Sequence, residues 1–199
     1  MKRPKRNKSV ELLYAQVLQE LGATSEPEFL DVRNTPRRVA AMLENELLAG
    51  YRLTEKDLLK KMKMFPAAGL QEIVLQPNIP VTSVCAHHML PFTGTAVVAY
   101  LPGKYLLGLS KLSRIVDFFS ARLQVQERLG GQVADYLMRV VKARAAFVLI
   151  DAEHGCMGCR GVRKPGVRSI TSSVRPQPLP PDLQAEFYAL TRYAQGNRR

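Results

Sequence analysis

The sequence predicts an α+β fold, an antiparallel sheet with helices on one face, preceded by N-terminal helices. Two observations carry this. Apolar residues recur at helical spacing before Gln71, shift to short β-branched runs broken by Pro and Gly, and return to helical spacing after Ser110. The element types also come in segregated runs, not in the strict alternation of a parallel doubly wound sheet. Neither a G-x-G-x-x-G fingerprint nor a Walker loop occurs, so a nucleotide would need another means of capture.

The elements follow in chain order. Ser9 to Leu21 reads as a helix with Ser9 as N-cap and Gly22 as the stop. "NTPRRVAAMLENELLAG" reads as a second, with Thr35 as N-cap, Pro36 at the first helical position and Gly50 past the end. A short third helix follows Thr54, with Asp57 placed for a capping box. "QEIVLQPNIPVTSVCAHH", "GTAVVAYLPG" and "KYLLGLS" read as strands. Ser110 opens the helix "SKLSRIVDFFSARL", and Gln126 to Arg144 reads as a longer helix despite Gly130 and Gly131. "AAFVLIDAEHGC" and "VRSITSSVR" return to strand, and Asp182 to Tyr193 closes with a helix. The expected organisation is a basic disordered tail over residues 1–8, a helical region over 9–70 and a sheet-bearing domain over 71–199.

Composition narrows the function classes. The 199 residues suffice for one well-buried domain or two small ones. No apolar run approaches the roughly 20 residues needed to span a bilayer, and no secretory h-region follows the start, so a cytoplasmic protein is expected. An odd count of three cysteines argues against a disulfide framework. The net charge of +12 is unevenly spread. Five cations fall in the first eight residues and five more (Arg160, Arg163, Lys164, Arg168, Arg175) between Arg160 and Arg175, with no acid in either stretch. The first cluster reads as a solvated arm, with nucleic-acid binding the lesser reading. The second lies inside the domain, beside cysteines, and suits a phosphate group.

All three histidines and all three cysteines lie in two short windows: Cys85, His87 and His88, then His154, Cys156 and Cys159. Concentration of this kind favours a shared metal, and thiolate with imidazole favours zinc. Two zinc sites satisfy the ligand rules. Cys85, His88, Cys156 and Cys159 would close a structural Cys₃His site. Three ligands with an open fourth position would instead activate a water, and would leave His87 and His154 as proton-transfer groups.

Several stretches, in order, resemble the GTP cyclohydrolase I family. "TPRRVAAM" is similar to its Thr-Pro-x-Arg helix start, and "CAHHMLPFTGTAVVAYLP" to its Cys-Glu-His-His zinc motif. "GLSKLSRIVDFFSARLQVQERL" is similar to the segment with its Gly-Leu-Ser-Lys and Gln-Val-Gln-Glu-Arg-Leu motifs, and "HGCMGCRGV" with "SITSS" to its His-x-Cys…Arg-Gly element and following strand. The resemblance implies a zinc enzyme of the tunnelling fold, in which small subunits pair their sheets into a barrel. It implies hydrolysis of the guanine imidazole ring of GTP, with release of formate and formation of 7,8-dihydroneopterin triphosphate.

By the same resemblance Cys85, His88 and Cys156 would bind zinc, and His87 and His154 would be catalytic. Gln126 and Glu127 would anchor guanine, and Ser110, Lys111, Arg114, Arg160 and Arg38 would hold the triphosphate. A homodecamer of two stacked pentameric rings is implied, with sites at subunit interfaces. Ala86 stands where the family carries glutamate, and "VRPQPLPPD" replaces a Gly- and Phe-containing segment. The other readings are a noncatalytic relative that binds a guanine nucleotide or nucleic acid with a structural zinc, and an enzyme acting on dGTP.

Overall fold

The computed structural model describes residues 8–24, 27 and 30–196. The basic tail therefore falls outside the described residues, apart from Lys8. The chain divides into two units, Met1–Ala49 and Gly50–Arg199.

In the first unit α1 (Lys8–Glu20) ends in a Schellman motif. Gly22 has φ +69°, its N–H donates to Gln19 O at 2.9 Å, and Ala23 N–H donates to Leu18 O at 2.9 Å. Glycine is the cheap residue at that left-handed position, which is why Gly22 stops the helix. The second helix, α2 (Thr35–Met42), begins differently from expectation. A 3₁₀ turn over Val32–Asn34 leads into it, so Asn34 is the N-cap and Thr35 already lies within the helix. The helix then passes into a π turn, Leu43–Leu47.

A 3₁₀ turn, Ala49–Arg52, begins at the last residue of the first unit, and Gly50 within it is not a helix stop. A Cβ there would lie 2.6 Å from Ala121 O, so glycine is required by close backbone approach. In α3 (Glu55–Lys60) the expected capping box of Thr54 and Asp57 is present. Both Thr54 bonds to the Asp57 carboxylate hold its pKa down to about 2.

The main sheet has five strands in the order β5-β2-β3-β6-β7. They are β2 (Val74–Cys85), β3 (Pro91–Leu101), β5 (Leu123–Gln124), β6 (Ala145–His154) and β7 (Arg168–Arg175). All pairings are antiparallel except the two-residue β5, which joins β2 in parallel. The segment read as the strand "KYLLGLS" contributes only β4 (Tyr105–Leu107), and it pairs with β1 (Met64–Pro66) in a separate two-stranded sheet.

Helices α4 (Ser110–Ser120) and α5 (Gln126–Tyr136) cover one sheet face. Phe119, Ile115, Leu129 and Val133 pack there with Ala96, Val98, Tyr100, Val148 and Ile150. Ser110 is the first residue of α4, with Leu109 as its N-cap. The helix stops at Ser120 because the chain turns into β5. Helix α5 gives way to a π turn, Leu137–Val141, closed by Lys142 at φ +57°. On the opposite face, Val97, Ala99, Leu101 and Phe147 pack with Phe187 of α7 (Pro181–Gly196). Alternate residues of β3 thus feed two apolar layers, which explains its near-continuous apolar run.

Candidate active site

The two histidine–cysteine windows meet at the start of β3. Pairing places Val84 opposite Pro91 and Phe92 opposite His154, so β3 is flanked there by Cys85 on one side and the end of β6 on the other. Between β2 and β3 the chain turns tightly: Met89 N–H donates to Cys85 O at 2.9 Å and Cys85 N–H to Leu90 O at 2.8 Å. Met89 takes φ +55°, rare for a side chain of its size, and the turn folds His88 back toward Cys85. After β6, the one-turn helix α6 (Gly155–Gly158) carries Cys156. A Cβ on Gly155 would lie 2.8 Å from Pro91 O, so glycine allows this approach.

Ligand atoms of Cys85, His88 and Cys156 all lie within 4.8 Å of one another. Cys85 Sγ and His88 Nδ1 are 3.8 Å apart. Tetrahedral zinc with ordinary Zn–S and Zn–N bonds holds its ligands roughly 3.7 Å apart, so these residues fit the metal with little movement. Cys159 is exposed and stands outside the cluster. Burial pushes the Cys156 thiol up, neighbouring Cys85 adds to this, and the Arg160 charge opposes it.

His154 lies beside the cluster in sequence and is held firmly. Its ring stacks on Phe92 with centroids 4.6 Å apart and planes 13° from parallel. Its Nε2 is 2.7 Å from Gln126 Oε1. Burial lowers the imidazole pKa, and the negative charge of Glu127 works against that shift. Gln126 is buried at the head of α5, whereas Glu127 beside it is exposed. His87 is exposed and meets His88 edge-on, with ring centroids 6.2 Å apart. Ala86 is exposed too, its N–H bonded to Gln124 O at 2.9 Å.

The phosphate candidates are more dispersed. Arg160 is exposed just after the cluster, and its charge is felt by Cys156. Ser110, Lys111 and Arg114 share the start of α4, where Lys111 Nζ donates to Ser110 Oγ at 3.4 Å. Arg114 also lines a cavity of about 210 Å³ together with Leu53, Lys61, Asp117 and Phe118. That volume is below the roughly 300 Å³ at which small-molecule pockets begin. Arg38 belongs to the N-terminal unit, where it pairs with Asp31. Two cations of the acid-free stretch are neutralised from elsewhere: Arg168 pairs with Asp151 at 2.7 Å and Arg175 with Asp135 at 2.6 Å.

Sequence reasoning missed Phe92, and also Ser169 and Thr171, which accept from Gln126 Nε2 at 2.9 and 3.1 Å. The "SITSS" stretch was a signal for the latter pair. Nothing local marked Phe92, whose role depends on strand pairing.

The family described as GTP cyclohydrolase I matches residues 10–192. This chain belongs to the GTP cyclohydrolase I family. Family relatives named GTP cyclohydrolase 1 include that of Thermoanaerobacter pseudethanolicus, 46% identical over 80% of this chain and 82% of the relative. That of Streptomyces avermitilis is 44% identical over 83% of this chain and 81% of the relative. That of Brucella anthropi is 40% identical over 86% and 80% respectively. Among solved structures, the apo archaeosine synthase QueF-Like aligns with a TM-score of 0.42 and 17% identity, over 51% of this chain and 91% of that one. The α+β architecture and the N-terminal helices are those of the family's tunnelling fold. The chain is thus an enzyme of the GTP cyclohydrolase I family, and its cysteine–histidine cluster is a candidate metal site.

Proposed function

We propose that this chain is a zinc-dependent GTP cyclohydrolase that opens the guanine imidazole ring, releases C8 as formate and yields 7,8-dihydroneopterin triphosphate. The carrying observation is the cluster of Cys85, His88 and Cys156 within 4.8 Å, with His154 two residues before Cys156 in sequence and Cys159 outside the cluster. Three ligands leave one coordination position open, the arrangement of catalytic rather than structural zinc. Zinc bound there supplies Lewis-acid activation of water for attack at C8.

The protein's own residues divide the remaining work. Glu127, exposed at the head of α5, accepts from N1–H and the 2-amino group of guanine, a donor pair that adenine lacks on that edge. His154 transfers a proton to the opening ring as general acid, and His87 handles protons on the substrate side. Ser110, Lys111, Arg114, Arg160 and Arg38 hold the triphosphate. Within the second unit, Ser110, Lys111 and Arg114 at the start of α4 and Arg160 in the loop after α6 lie on separate elements, which accords with a site completed by another subunit.

A homodecamer with interfacial sites accords with the exposed apolar residues Leu12 and Leu13 of α1, 65% and 61% exposed, and Leu21 just after it, 74% exposed. The domain arrangement we favour keeps residues 1–8 as tail, 9–70 as a mainly helical region that ends with strand β1, and 71–199 as catalytic domain. A cytoplasmic setting is proposed as well; no helix among the described residues is long and apolar enough to cross a membrane.

The test is formate release from GTP with zinc measured in the same sample. Formate and an oxidisable fluorescent pterin in proportion to zinc are expected, and His154→Ala keeps zinc but loses turnover. No formate from zinc-replete protein refutes the reading, and preference for dGTP would revise the substrate.

A further inference from the structure

The geometry points to Gln126 as a positioning residue that fixes the orientation and tautomer of His154, so that the ring offers Nδ1 to the reaction. This rests on the reading of His154 as a proton-transfer group. Gln126 is 1% exposed, and its Nε2 lies 3.0 Å from Ile150 O, 2.9 Å from Ser169 O and 3.1 Å from Thr171 Oγ1. Backbone carbonyls only accept hydrogen bonds, so the atom facing two of them is the amide NH₂. The two ends of this side-chain amide are therefore assigned by chemistry. Two N–H groups are shared among three acceptors supplied by β6 and β7, which leaves the amide little freedom.

Its Oε1 then faces His154 Nε2 at 2.7 Å. That oxygen also only accepts, so Nε2 must carry the hydrogen. In the neutral ring the lone pair is consequently on Nδ1, the atom that takes up the proton His154 then donates to substrate as general acid. Phe92, stacked at 4.6 Å, restrains the ring plane from the side. A half-turn of the imidazole would put a C–H against Oε1 and strand a buried acceptor.

The same geometry argues against a guanine contact by Gln126. Both its N–H groups are committed inward and its oxygen is on His154, whereas adjacent Glu127 is exposed. Two neighbouring residues at the head of α5 thus have separate tasks, Glu127 on the base and Gln126 on the histidine.

A double-mutant cycle on zinc-loaded holoenzyme tests this. Gln126→Leu preserves approximate volume and removes both ends of the relay. Its kcat should fall on the order of 10- to 100-fold with KM for GTP little changed, as for other residues that orient a functional histidine. On a His154→Ala background the same substitution should add little. A raised KM, or an undiminished loss on that background, overturns the proposal, as does unchanged kcat in folded Gln126→Leu enzyme.

Should that variant fail to fold, solid-state ¹⁵N NMR of histidine-labelled wild-type holoenzyme decides. Only three histidines contribute, and the His154 signals are those absent from His154→Ala. Hydrogen on Nε2 with lone-pair character on Nδ1 is expected, and the opposite tautomer overturns the proposal. If His154→Ala keeps wild-type turnover, the catalytic claim falls. An Nε2–H tautomer found alongside would trace that failure to the functional reading and not to the geometry.

Discussion

Tyr100→Phe removes a single hydroxyl from the middle of the protein. Tyr100 is fully buried on β3, and its hydroxyl accepts the Leu107 backbone N–H at 2.8 Å. Leu107 is itself buried at the end of β4, three residues before α4 begins at Ser110. Phenylalanine keeps the ring and its packing, so the cost is that of a buried N–H left without an acceptor, about 1–3 kcal/mol. For a unit of this size each kcal/mol moves Tm by about 2–4 °C, so Tm should fall by roughly 2–12 °C. Calorimetry at fixed protein concentration reads the shift, and the urea m-value should not change. Because Ser110 and Lys111 follow directly, KM for GTP should rise as the start of α4 loosens. A Tm within a degree of wild type, with undiminished hydrogen-exchange protection of the Leu107 amide, would show that this N–H finds another partner and refute the reasoning.

Cys156→Ala should reduce bound zinc well below one equivalent by elemental analysis and lower formate release by at least about 100-fold, since a catalytic metal site would lose one of three ligands. Gly155→Ala would place a Cβ 2.8 Å from Pro91 O, so α6 must withdraw from β3. We expect zinc affinity to fall on the order of tenfold or more, while the circular dichroism spectrum stays that of wild type. At alkaline pH, burial raises the phenol pKa of Tyr100 and of Tyr136. The unfolded chain releases these protons near pH ~10 while the folded one retains them, so stability is intact below that pH and falls as pH rises above it. Urea midpoints between pH 9 and 11 should show the decline, shallower in Tyr100→Phe.

Local rules read best where the controlling atoms are local. The capping box at Thr54 and Asp57 and the helix stop at Gly22 depend on residues within one turn, and both are present. The candidate metal cluster was legible for a different reason. Its ligand types are scarce in this chain, and their confinement to two windows survives ignorance of the fold. Gly50 looked like a helix stop but answers to Ala121 O, some seventy positions away. Pattern reading found five cations without an acid, yet Asp151 and Asp135 reach two of them from β6 and α5. Charge counted along the chain therefore overstates the charge a phosphate would meet.

Residues about seventy positions apart meet at the site because β3 is hydrogen-bonded on both sides. The Val84–Pro91 pair fixes Cys85, and the Phe92–His154 pair fixes the end of β6. Side chains in a strand alternate between faces, so a slip of one residue would turn Phe92 away from His154 and undo the stack. Such a slip would also carry Tyr100 out of the layer under α4 and α5 and break the hydrogen bond its hydroxyl accepts from Leu107 N–H. Gln126 extends the same logic outward: its NH₂ spans Ile150 on β6 and Ser169 on β7, so the His154 ring is tied to the register of that pair as well. The precision of the site therefore comes from the sheet's core packing, and the proton transfer proposed for His154 would inherit it.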